Sequence, residues 1–497
     1  MSVMTLVLNL VLLVVISAVI DSCVNPCRAL RRITGLHTCA VLITCGIFLT
    51  ILGSLYAACI ATLVVFVALV TISNLKFRML AEPLVFTDIV VAQSFLRYPQ
   101  FYLAAIPFWL KVVAPPAVAG MVWCGWMLFS MALMPHVFGG VIIVAGCSGL
   151  KMRQFWLLHG KLMTKPDLIH DVRLYGLVST LIVYTWRWQR STAPDPVLPL
   201  SVSNRSGKAA PLVVVIQCES FADPSCIAPL RDFPELSGLT RLENTPGVIR
   251  GDLHVSGFGA YTMRTEFGVL FGQSEEELGF RRYDPFLTAM DSVSHALPNV
   301  LSEFYESRVF IHPHDLQFYG RKQLLPAMGF TEIIGAECFG RADLVGPYVG
   351  DERLGRLLSD RICRSRTPEL IYTVTMENHG PWDAARMNKA DALETWYQHA
   401  VNSDLMLNAL DIALHDSKRE AYLVFFGDHR PSIPGFFKPM AEKSTPFIVR
   451  PYNTEDAVPW SSGGSILPCD LYKYVCDVVC RPQAKSLSRF REVRRPT

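Results

Sequence analysis

The first 150 residues of this chain carry very little charge. Only ten of these side chains are Asp, Glu, Lys or Arg, although charged residues make up 18% of the whole chain. An apolar helix of about 20 residues is long enough to cross a bilayer. The sequence therefore predicts a helical membrane domain over residues 1–150, with about five spans. The apolar runs that could supply them are Met4–Ile20, His37–Leu55, Tyr56–Ile72, Tyr102–Val113, Pro116–Leu133 and Val137–Gly149.

The first apolar run differs from a cleaved signal peptide. It has neither a basic segment before it nor a convincing pattern of small residues at a cleavage position. We therefore expect an uncleaved anchor. Arg28, Arg31 and Arg32 follow this run, and by the positive-inside rule they favour the cytoplasmic side for that loop.

The segment after the hydrophobic block is predicted to connect two domains. Lys151–Arg190 combines helical periodicity with bases and tryptophans, which is typical of a helix on a membrane surface. A linker helix packed on a globular domain is an equally good interpretation. Ser191–Pro211 is rich in proline and serine and reads as a linker, so residues 151–210 are predicted as surface helix and linker. The final segment, 481–497, is predicted to be a basic tail.

Residues 211–480 have the composition of a single α/β domain. Helical stretches such as Leu344–Cys363 and Lys389–His415 alternate with short apolar runs that read as buried strands. This alternation favours a mostly parallel sheet with helices on its faces. The predicted strands are Leu212–Ile216, Arg308–Ile311, Leu370–Thr375 and Tyr422–Phe426.

Each of these four strands ends at an acid or a histidine. Glu219 follows the first strand, His312 the second, His379 the third, and Asp428 with His429 the fourth. Ligands of open α/β sheets bind beyond the carboxyl ends of the strands. We therefore expect one edge of the sheet to be a functional site. Asp428 and His429, placed directly after Gly427, are suited to form half of a metal site.

Thr262 stands at a predicted helix start. It follows a loop marked by Gly257 and Gly259, and the helix is predicted to run to about Leu270. A helix N-terminus offers unpaired N–H groups and a partial positive charge, both of which suit a phosphate. By itself, Thr262 would be interpreted as a capping residue.

Four motifs together resemble a known family. Gln217-Cys-Glu219-Ser220, Thr262-Met-Arg-Thr-Glu266-Phe267, Glu377-Asn-His379-Gly-Pro381 and Phe426-Gly-Asp428-His429 occur in the order and approximate spacing of lipoteichoic-acid-synthase-like phosphoglycerol transferases. These enzymes belong to the sulfatase and alkaline phosphatase superfamily. The resemblance implies a multi-span α-helical membrane domain followed by an extracytoplasmic, sulfatase-like α/β catalytic domain with a mostly parallel sheet.

The resemblance also implies roles for individual residues. Glu219, Thr262, Asp428 and His429 would bind one divalent metal, typically Mn²⁺, with Mg²⁺ or Zn²⁺ as the other candidates. Thr262 would also be the nucleophile. His379 would contact the phosphoryl group or the leaving oxygen. A looser match of the segment from His312 to Arg321 would place these two residues on the substrate headgroup.

The implied reaction is a transfer in two steps. Thr262 would attack the phosphodiester of phosphatidylglycerol, diacylglycerol would leave, and the glycerophosphoryl group would pass to a glycan or polymer of the cell envelope. Metal coordination activates a hydroxyl that is otherwise a weak nucleophile. A lipid donor explains why a catalytic domain should be anchored in the cell membrane.

Several alternatives stay open at this point. The donor could be phosphatidylethanolamine, the enzyme could be a phosphodiesterase, or the chain could be a scaffold with a degenerate site. Sulfate-ester hydrolysis is disfavoured because the sequence has no Cys/Ser-x-Pro-x-Arg pentapeptide. Met263-Arg264-Thr265 also differs from the small, acidic run that we associate with Gram-positive synthases, which leaves the acceptor open.

Cysteines, charge and topology add weaker constraints. Cys469, Cys476 and Cys480 lie close together in sequence, so a disulfide there is conceivable in an extracytoplasmic domain. The basic residues are not interleaved with aromatics as in nucleic-acid-binding proteins. An odd number of spans with an external catalytic domain conflicts with the arginines after the first span, which leaves the side of the N-terminus open.

Overall fold

The computed structural model describes residues 3–26, 35–89, 108–160, 162–200, 209–227, 231–433, 435–437, 443–454 and 464–480. The chain divides into two compact units, residues 1–191 and 192–497. Arg28, Arg31 and Arg32, residues 201–208 of the predicted linker and the basic tail 481–497 lie outside the described residues, so what the sequence predicts for them stays a prediction.

The first unit is helical. Its helices are α1 (Val3–Ser22), α2 (Gly35–Leu52), α3 (Leu55–Leu80), α4 (Phe108–Met127), α5 (Leu133–His159), α6 (Leu168–Tyr175) and α7 (Leu177–Gln189). Within the described residues, α1 to α5 are long and apolar enough to cross a membrane. The predicted fold class of this unit is thereby confirmed, since five such helices were expected.

The bounds of some of these helices differ from the prediction. The runs 102–113, 116–133 and 137–149 were expected as separate segments, but the structure has two helices, α4 and α5. Pro115 and Pro116 lie inside α4 and do not end it, which is a tolerance typical of apolar spanning helices. The prediction of a single helix over 151–190 is also wrong, because one helix ends at Gly160 and the next ends at Gly176, whose φ is 83°.

The second unit is built on a mostly parallel sheet. The ten strands of the described part are β1 (Leu212–Cys218), β2 (Ile249–His254), β3 (Ser307–Ile311), β4 (Glu332–Ile334), β5 (Leu344–Val345), β6 (Tyr348–Val349), β7 (Glu369–Val374), β8 (Ala421–Gly427), β9 (Ser444–Tyr452) and β10 (Gly464–Ile466). Eight of them form one sheet in the order β10-β2-β9-β8-β1-β7-β3-β4. Only β9 runs antiparallel to its neighbours, so the predicted mostly parallel sheet is confirmed.

Helices cover both faces of this sheet. They are α8 (Ser237–Glu243), α9 (Thr262–Phe271), α10 (Glu275–Leu278), α11 (Leu297–Val300), α12 (Arg321–Ala327), α13 (Asp351–Arg364), α14 (Ala384–Met387), α15 (Ala392–Asp416) and α16 (Pro468–Cys480). The central strand β1 is buried along its whole length. Val213 and Val215 face the core that includes α9 and α16, whereas Leu212, Val214 and Ile216 face the core that includes α13 and α15.

One expectation for the second unit needs correction, and the possibility of a disulfide near the C-terminus can be examined. The helix predicted over 344–363 begins only at Asp351, because residues 344–349 form the hairpin β5–β6 around Gly346, whose φ is 65°. Cys469, Cys476 and Cys480 all lie on α16 and are unbonded, so no disulfide forms among them.

Candidate active site

The strand register brings the first two acids together. β1 and β8 are parallel neighbours, and Cys218 pairs with Gly427 at their carboxyl ends. The residues that follow these two strand ends are therefore Glu219 and Asp428, and both are buried. The backbone N–H of Ser220 donates to Asp428 Oδ1 at 2.9 Å, which fixes one oxygen of that carboxylate. A Cβ at Gly427 would lie 2.1 Å from the Phe221 carbonyl oxygen, so glycine permits this close approach.

His429 completes a cluster of three metal-type ligands. Its Nε2 lies 3.3 Å from Glu219 Oε1 and 3.8 Å from Asp428 Oδ2. One ligand atom from each of the three side chains lies within 4.8 Å of the others. Residues more than 200 positions apart in sequence thus meet at one edge of the sheet, as predicted from the strand endings.

Thr262 is the first residue of α9 and is 9% exposed. Tyr261 before it adopts a left-handed conformation, with φ of 77°, which turns the chain into the helix. One turn later, Thr265 Oγ1 donates to the Asp428 carbonyl at 2.8 Å and ties the helix to the end of β8. The Thr262 side chain interacts with Asp428 and lowers the pKa of that carboxyl group. The fourth predicted ligand therefore lies beside the other three.

The charges in this cluster are strongly coupled. Burial raises the pKa of Asp428, and the Glu219 charge raises it further, to about 7. Burial opposes ionisation of Glu219 as well, but the hydrogen bond and charge of His429 hold its pKa below the ordinary value, at about 2. Burial opposes the charge on His429, but Asp428 and Glu219 raise its pKa to about 9, so the imidazolium supplies the positive charge that these two buried carboxylates need when no cation is bound.

The donor set fits a divalent cation. Asp428 Oδ2 is buried and has no hydrogen-bond donor among the described residues, which is costly unless a cation or another donor meets it. Two carboxylates, an imidazole and a hydroxyl are a suitable set of ligands for Mn²⁺ or Zn²⁺. The structure thus offers a site for one metal ion, and the identity of that ion is a separate question.

Arg321 lies near this site but is not free of partners. It is 2% exposed and forms a buried ion pair with Glu266, with Nε 3.2 Å from Glu266 Oε1. Glu266 stands four residues after Thr262 on α9, and side chains at that spacing share a helix face. Gln217 Nε2 also lies 3.4 Å from Glu266 Oε2. The Thr-x-x-x-Glu spacing thus connects the predicted nucleophile to the predicted headgroup arginine.

Two histidines and a tyrosine surround the guanidinium. His312 Nδ1 lies 3.1 Å from the Val374 carbonyl, and burial lowers the pKa of His312 well below its ordinary value. Burial also lowers the pKa of His314, to about 4. The Arg321 guanidinium lies 5.2 Å from the centre of the Tyr319 ring. At neutral pH these rings are therefore uncharged groups that can exchange hydrogen bonds with a ligand.

His379 is half-buried in the loop after β7. Its Nδ1 lies 2.7 Å from the Gly380 carbonyl oxygen and 3.2 Å from the Tyr348 hydroxyl. Its charge contributes to the low pKa of Glu219, which places it within electrostatic reach of the three-ligand cluster. All seven residues that the sequence singled out therefore lie around one end of the sheet, and their individual roles stay predictions.

The sequence did not reveal several neighbours of these residues. Tyr348 and Arg386 contact the His379 loop but come from a hairpin and a short helix without a recognisable pattern. Glu266 could have been found, because its spacing from Thr262 places it on the same face of a predicted helix.

Comparisons with known proteins show which chains this one is similar to. Residues 211–457 match the Sulfatase family. RkpI of Rhizobium meliloti, named as a capsular polysaccharide biosynthesis protein, is 27% identical over 86% of this chain and 85% of its own length. A putative cyclic β-1,2-glucan modification protein of the same organism is 26% identical over 48% of this chain and 38% of its own length.

A solved structure extends the likeness to most of the chain. The lipooligosaccharide phosphoethanolamine transferase EptA of Neisseria meningitidis covers 89% of this chain and 95% of its own, at 10% identity and a TM-score of 0.50. At that identity the likeness concerns the fold alone. The chain therefore carries, over residues 211–457, a domain of the Sulfatase family.

Proposed function

We propose that this chain is a membrane-anchored, metal-dependent phosphoglycerol transferase. Its donor is phosphatidylglycerol, and its acceptor is a glycan or polymer of the cell envelope. The observation that carries the proposal is the position of Thr262. A buried hydroxyl at a helix N-terminus lies beside Asp428 and next to a three-residue metal-type cluster. That arrangement is suited to a nucleophile that attacks phosphorus.

The first half-reaction transfers the phosphoryl group to the protein. Thr262 first loses its hydroxyl proton to solvent, and its alkoxide Oγ forms a bond to phosphorus while the bond from phosphorus to the diacylglycerol oxygen breaks. His379, when protonated, gives its proton to that leaving oxygen. A divalent cation at Glu219, Asp428 and His429 would lower the pKa of the hydroxyl and polarise a phosphoryl oxygen. The N–H groups at the start of α9 stabilise the charge on the equatorial oxygens.

The second half-reaction releases the group to the acceptor. An acceptor hydroxyl attacks the phospho-threonine, the bond between Thr262 Oγ and phosphorus breaks and leaves Thr262 as the alkoxide that starts the next cycle, and neutral His379 takes the acceptor proton. The side chain that donated a proton in the first step thus recovers one in the second, so the protons balance over a complete cycle.

The headgroup surroundings support glycerol in this proposal. The two carboxylates beside these rings, Glu266 and Asp315, both have partners: Glu266 is paired with Arg321, and Asp315 accepts the backbone N–H of Gln317. An ammonium group binds best to a free carboxylate. The neutral rings of His312 and His314 and the Tyr319 hydroxyl are suited to the hydroxyls of glycerol. Phosphatidylethanolamine is the alternative donor that the experiment must compare.

The names of two relatives support a polysaccharide acceptor. RkpI is named for capsular polysaccharide biosynthesis, and the second relative for modification of a cyclic β-1,2-glucan. We therefore propose that sugar hydroxyls of such a polymer receive the glycerophosphoryl group. We also propose that the catalytic domain lies on the outer side of the cell membrane, where these polymers are found.

The test is to capture the covalent intermediate. Purified full-length chain is incubated with vesicles of phosphatidylglycerol or of phosphatidylethanolamine and Mn²⁺, and its peptides are then analysed by mass spectrometry. We expect a glycerophosphoryl adduct on Thr262, released diacylglycerol, and neither product with Thr262→Ala. Thr262→Ser, which keeps a hydroxyl, should retain measurable adduct. An ethanolamine phosphate adduct alone would reassign the donor, and full activity of Thr262→Ala would reject the mechanism.

A further inference from the structure

The ring of His379 is held through one of its two nitrogens. Nδ1 lies 2.7 Å from the carbonyl oxygen of Gly380, the next residue in the chain. The hydroxyl of Tyr348 lies 3.2 Å from the same nitrogen and donates to the same carbonyl at 3.2 Å. Tyr348 is 4% exposed, and burial raises the pKa of its hydroxyl, so the phenol keeps its proton.

These contacts select a tautomer. A carbonyl oxygen can only accept a hydrogen bond, so the nitrogen 2.7 Å from it must carry the hydrogen. In the neutral ring, Nε2 is then the nitrogen that carries no hydrogen, and in the protonated ring it is a donor. The proposed mechanism needs Nε2 to give a proton in the first half-reaction and to take one in the second, so Nε2 must be the nitrogen that loses and gains the hydrogen.

Arg386 holds the backbone that carries this ring. Its Nη1 donates to the His379 carbonyl at 2.7 Å, and its Nη2 donates to the Glu377 carbonyl. The same guanidinium lies 4.8 Å from the centre of the Tyr348 ring. One side chain thus fixes the loop on both sides of Asn378 and supports the tyrosine. Gly346 leaves room for it, since a Cβ there would lie 2.8 Å from Arg386 Cγ.

Glu377 links the hairpin β5–β6 to the loop that carries His379. Its Oε2 accepts the backbone N–H of Asp351 at 2.6 Å, and Asp351 begins α13 directly after the hairpin β5–β6. Its Oε1 accepts from His399 Nδ1 at 2.7 Å and from Asn402 Nδ2 at 2.6 Å. Tyr348 and His379 are therefore attached to the same buried carboxylate through short stretches of backbone.

We propose that Tyr348 and Arg386 are positioning residues that hold His379 in its Nδ1–H tautomer and present Nε2 to the reaction. The identity of the group that Nε2 contacts, a phosphoryl or leaving-group oxygen, rests on the proposed function. The assignment of the tautomer does not rest on it, because the tautomer follows from protein contacts alone.

The kinetic test uses Tyr348→Phe, which removes only the hydroxyl. We expect kcat for glycerophosphoryl transfer to fall about ten- to a hundredfold, as for other histidines that lose an orienting partner, with little change in KM for the lipid. Arg386→Lys keeps the charge but cannot span two carbonyls, and should act in the same direction. Tyr397→Phe is the matched control, because its hydroxyl also donates to a carbonyl, that of Pro234, away from the site.

A second background shows whether Tyr348 acts through His379. In a His379→Ala chain, Tyr348→Phe should cause no further loss of transfer. An equal loss in both backgrounds, or unchanged kcat in the single variant, would overturn the proposal.

A spectroscopic test separates this inference from the proposed function. The full-length chain, labelled with ¹⁵N-histidine, contains 12 histidines, and His379 is assigned as the signal missing in His379→Gln. We expect the Nδ1–H signature in the parent and a larger share of the Nε2–H tautomer in Tyr348→Phe, where only the Gly380 carbonyl still holds Nδ1. An Nε2–H signature in the parent would overturn the inference even if transfer is observed. Absence of transfer from any lipid would instead reject the proposed function and leave the tautomer decided by the spectrum.

Discussion

At the scale of single residues, burial determines which charges the site can use. Glu266 and Arg321 are 0% and 2% exposed and satisfy one another. A buried ion pair adds little net stability relative to an apolar pair, but removing one partner leaves an uncompensated charge. The value of this pair is therefore the fixed position of the guanidinium beside His312 and Tyr319.

Replacing Glu266 should expose this dependence. We expect Glu266→Ala to destabilise the domain by about 3–5 kcal/mol, since Arg321 would stay buried without a counter-charge. Thermal unfolding of the full-length chain measures the effect. The control is Glu352→Ala, whose partner Arg356 lies 3.6 Å away on an exposed helix face and whose loss should be small. Equal melting temperatures for the two variants would contradict the argument.

His314 should make stability depend on pH. Burial lowers its pKa to about 4, against about 6.5 in an unfolded chain. The unfolded state therefore binds more protons between these values, and stability is lost as pH falls from 6.5 towards 4. The groups around this ring include His312, His379, Tyr348, Asp315 and Arg321.

His314→Asn is the variant that isolates this effect. Its melting temperature should fall less than that of the parent between pH 6.5 and 4.5, with the two curves parallel above pH 7. The comparison with the parent removes the contribution of other titrating groups. Parallel curves over the whole range would show that His314 is not the group responsible.

At the scale of elements, the site is made by the register of parallel strands. Glu219 and Asp428 meet because Cys218 and Gly427 are partners at the ends of β1 and β8. Thr265 then fixes the start of α9 to the backbone of Asp428. Two strands and one helix are thus sufficient to place four candidate ligands. The hairpin β5–β6 contributes a positioning contact, as the hydrogen bond between Tyr348 and His379 shows.

Gly427→Ala should disturb this register. A Cβ would lie 2.1 Å from the Phe221 carbonyl oxygen, so the strand end must shift, at a cost of about 1–3 kcal/mol. Because Asp428 is the next residue, metal affinity should fall with stability. Isothermal titration with Mn²⁺ measures this. Gly464→Ala, on an edge strand with open space around the Cβ, is the control, and unchanged affinity in Gly427→Ala would contradict the account.

At the scale of the whole molecule, the chain combines an apolar helical unit with a sheet-based unit. The helices of residues 1–191 satisfy their own backbone groups, as any segment in a bilayer must. The metal-type cluster belongs entirely to the second unit. The helices that could span a membrane and the metal-type cluster thus belong to different parts of the sequence, as the proposed transfer from a lipid donor requires.

Metal removal should affect stability and activity together. When a cation leaves, the buried carboxylates of Glu219 and Asp428 lose part of the positive charge that offsets their repulsion. A chelator should therefore lower both the melting temperature and the rate of glycerophosphoryl transfer. An ion present at a hundred times its Kd would stabilise by about 2.7 kcal/mol. Restoring Mn²⁺, Mg²⁺ or Zn²⁺ one at a time identifies the preferred ion. Asp428→Asn is the control and should be insensitive to chelation, whereas a parent chain insensitive to it would argue against a structural role for the metal.

The sequence by itself determined the features that depend on local patterns. Apolar runs and low charge predicted the helical unit, and strands that end in acids and histidines predicted the site edge, because hydrophobic periodicity and strand polarity are read locally. Part of the site could be predicted in the same way, since Thr262 and Glu266 share a helix face at a spacing of four residues.

Only the tertiary structure decided which residues hold these groups in place. The Glu266–Arg321 pair joins residues 55 positions apart, and the hydroxyl of Tyr348 reaches a ring 31 positions away. Such contacts depend on how strands and hairpins are arranged in space, and no periodicity in the chain encodes them. The helix predicted over 344–363 was wrong at its start for the same reason, because Gly346 turns the chain into the hairpin that carries Tyr348.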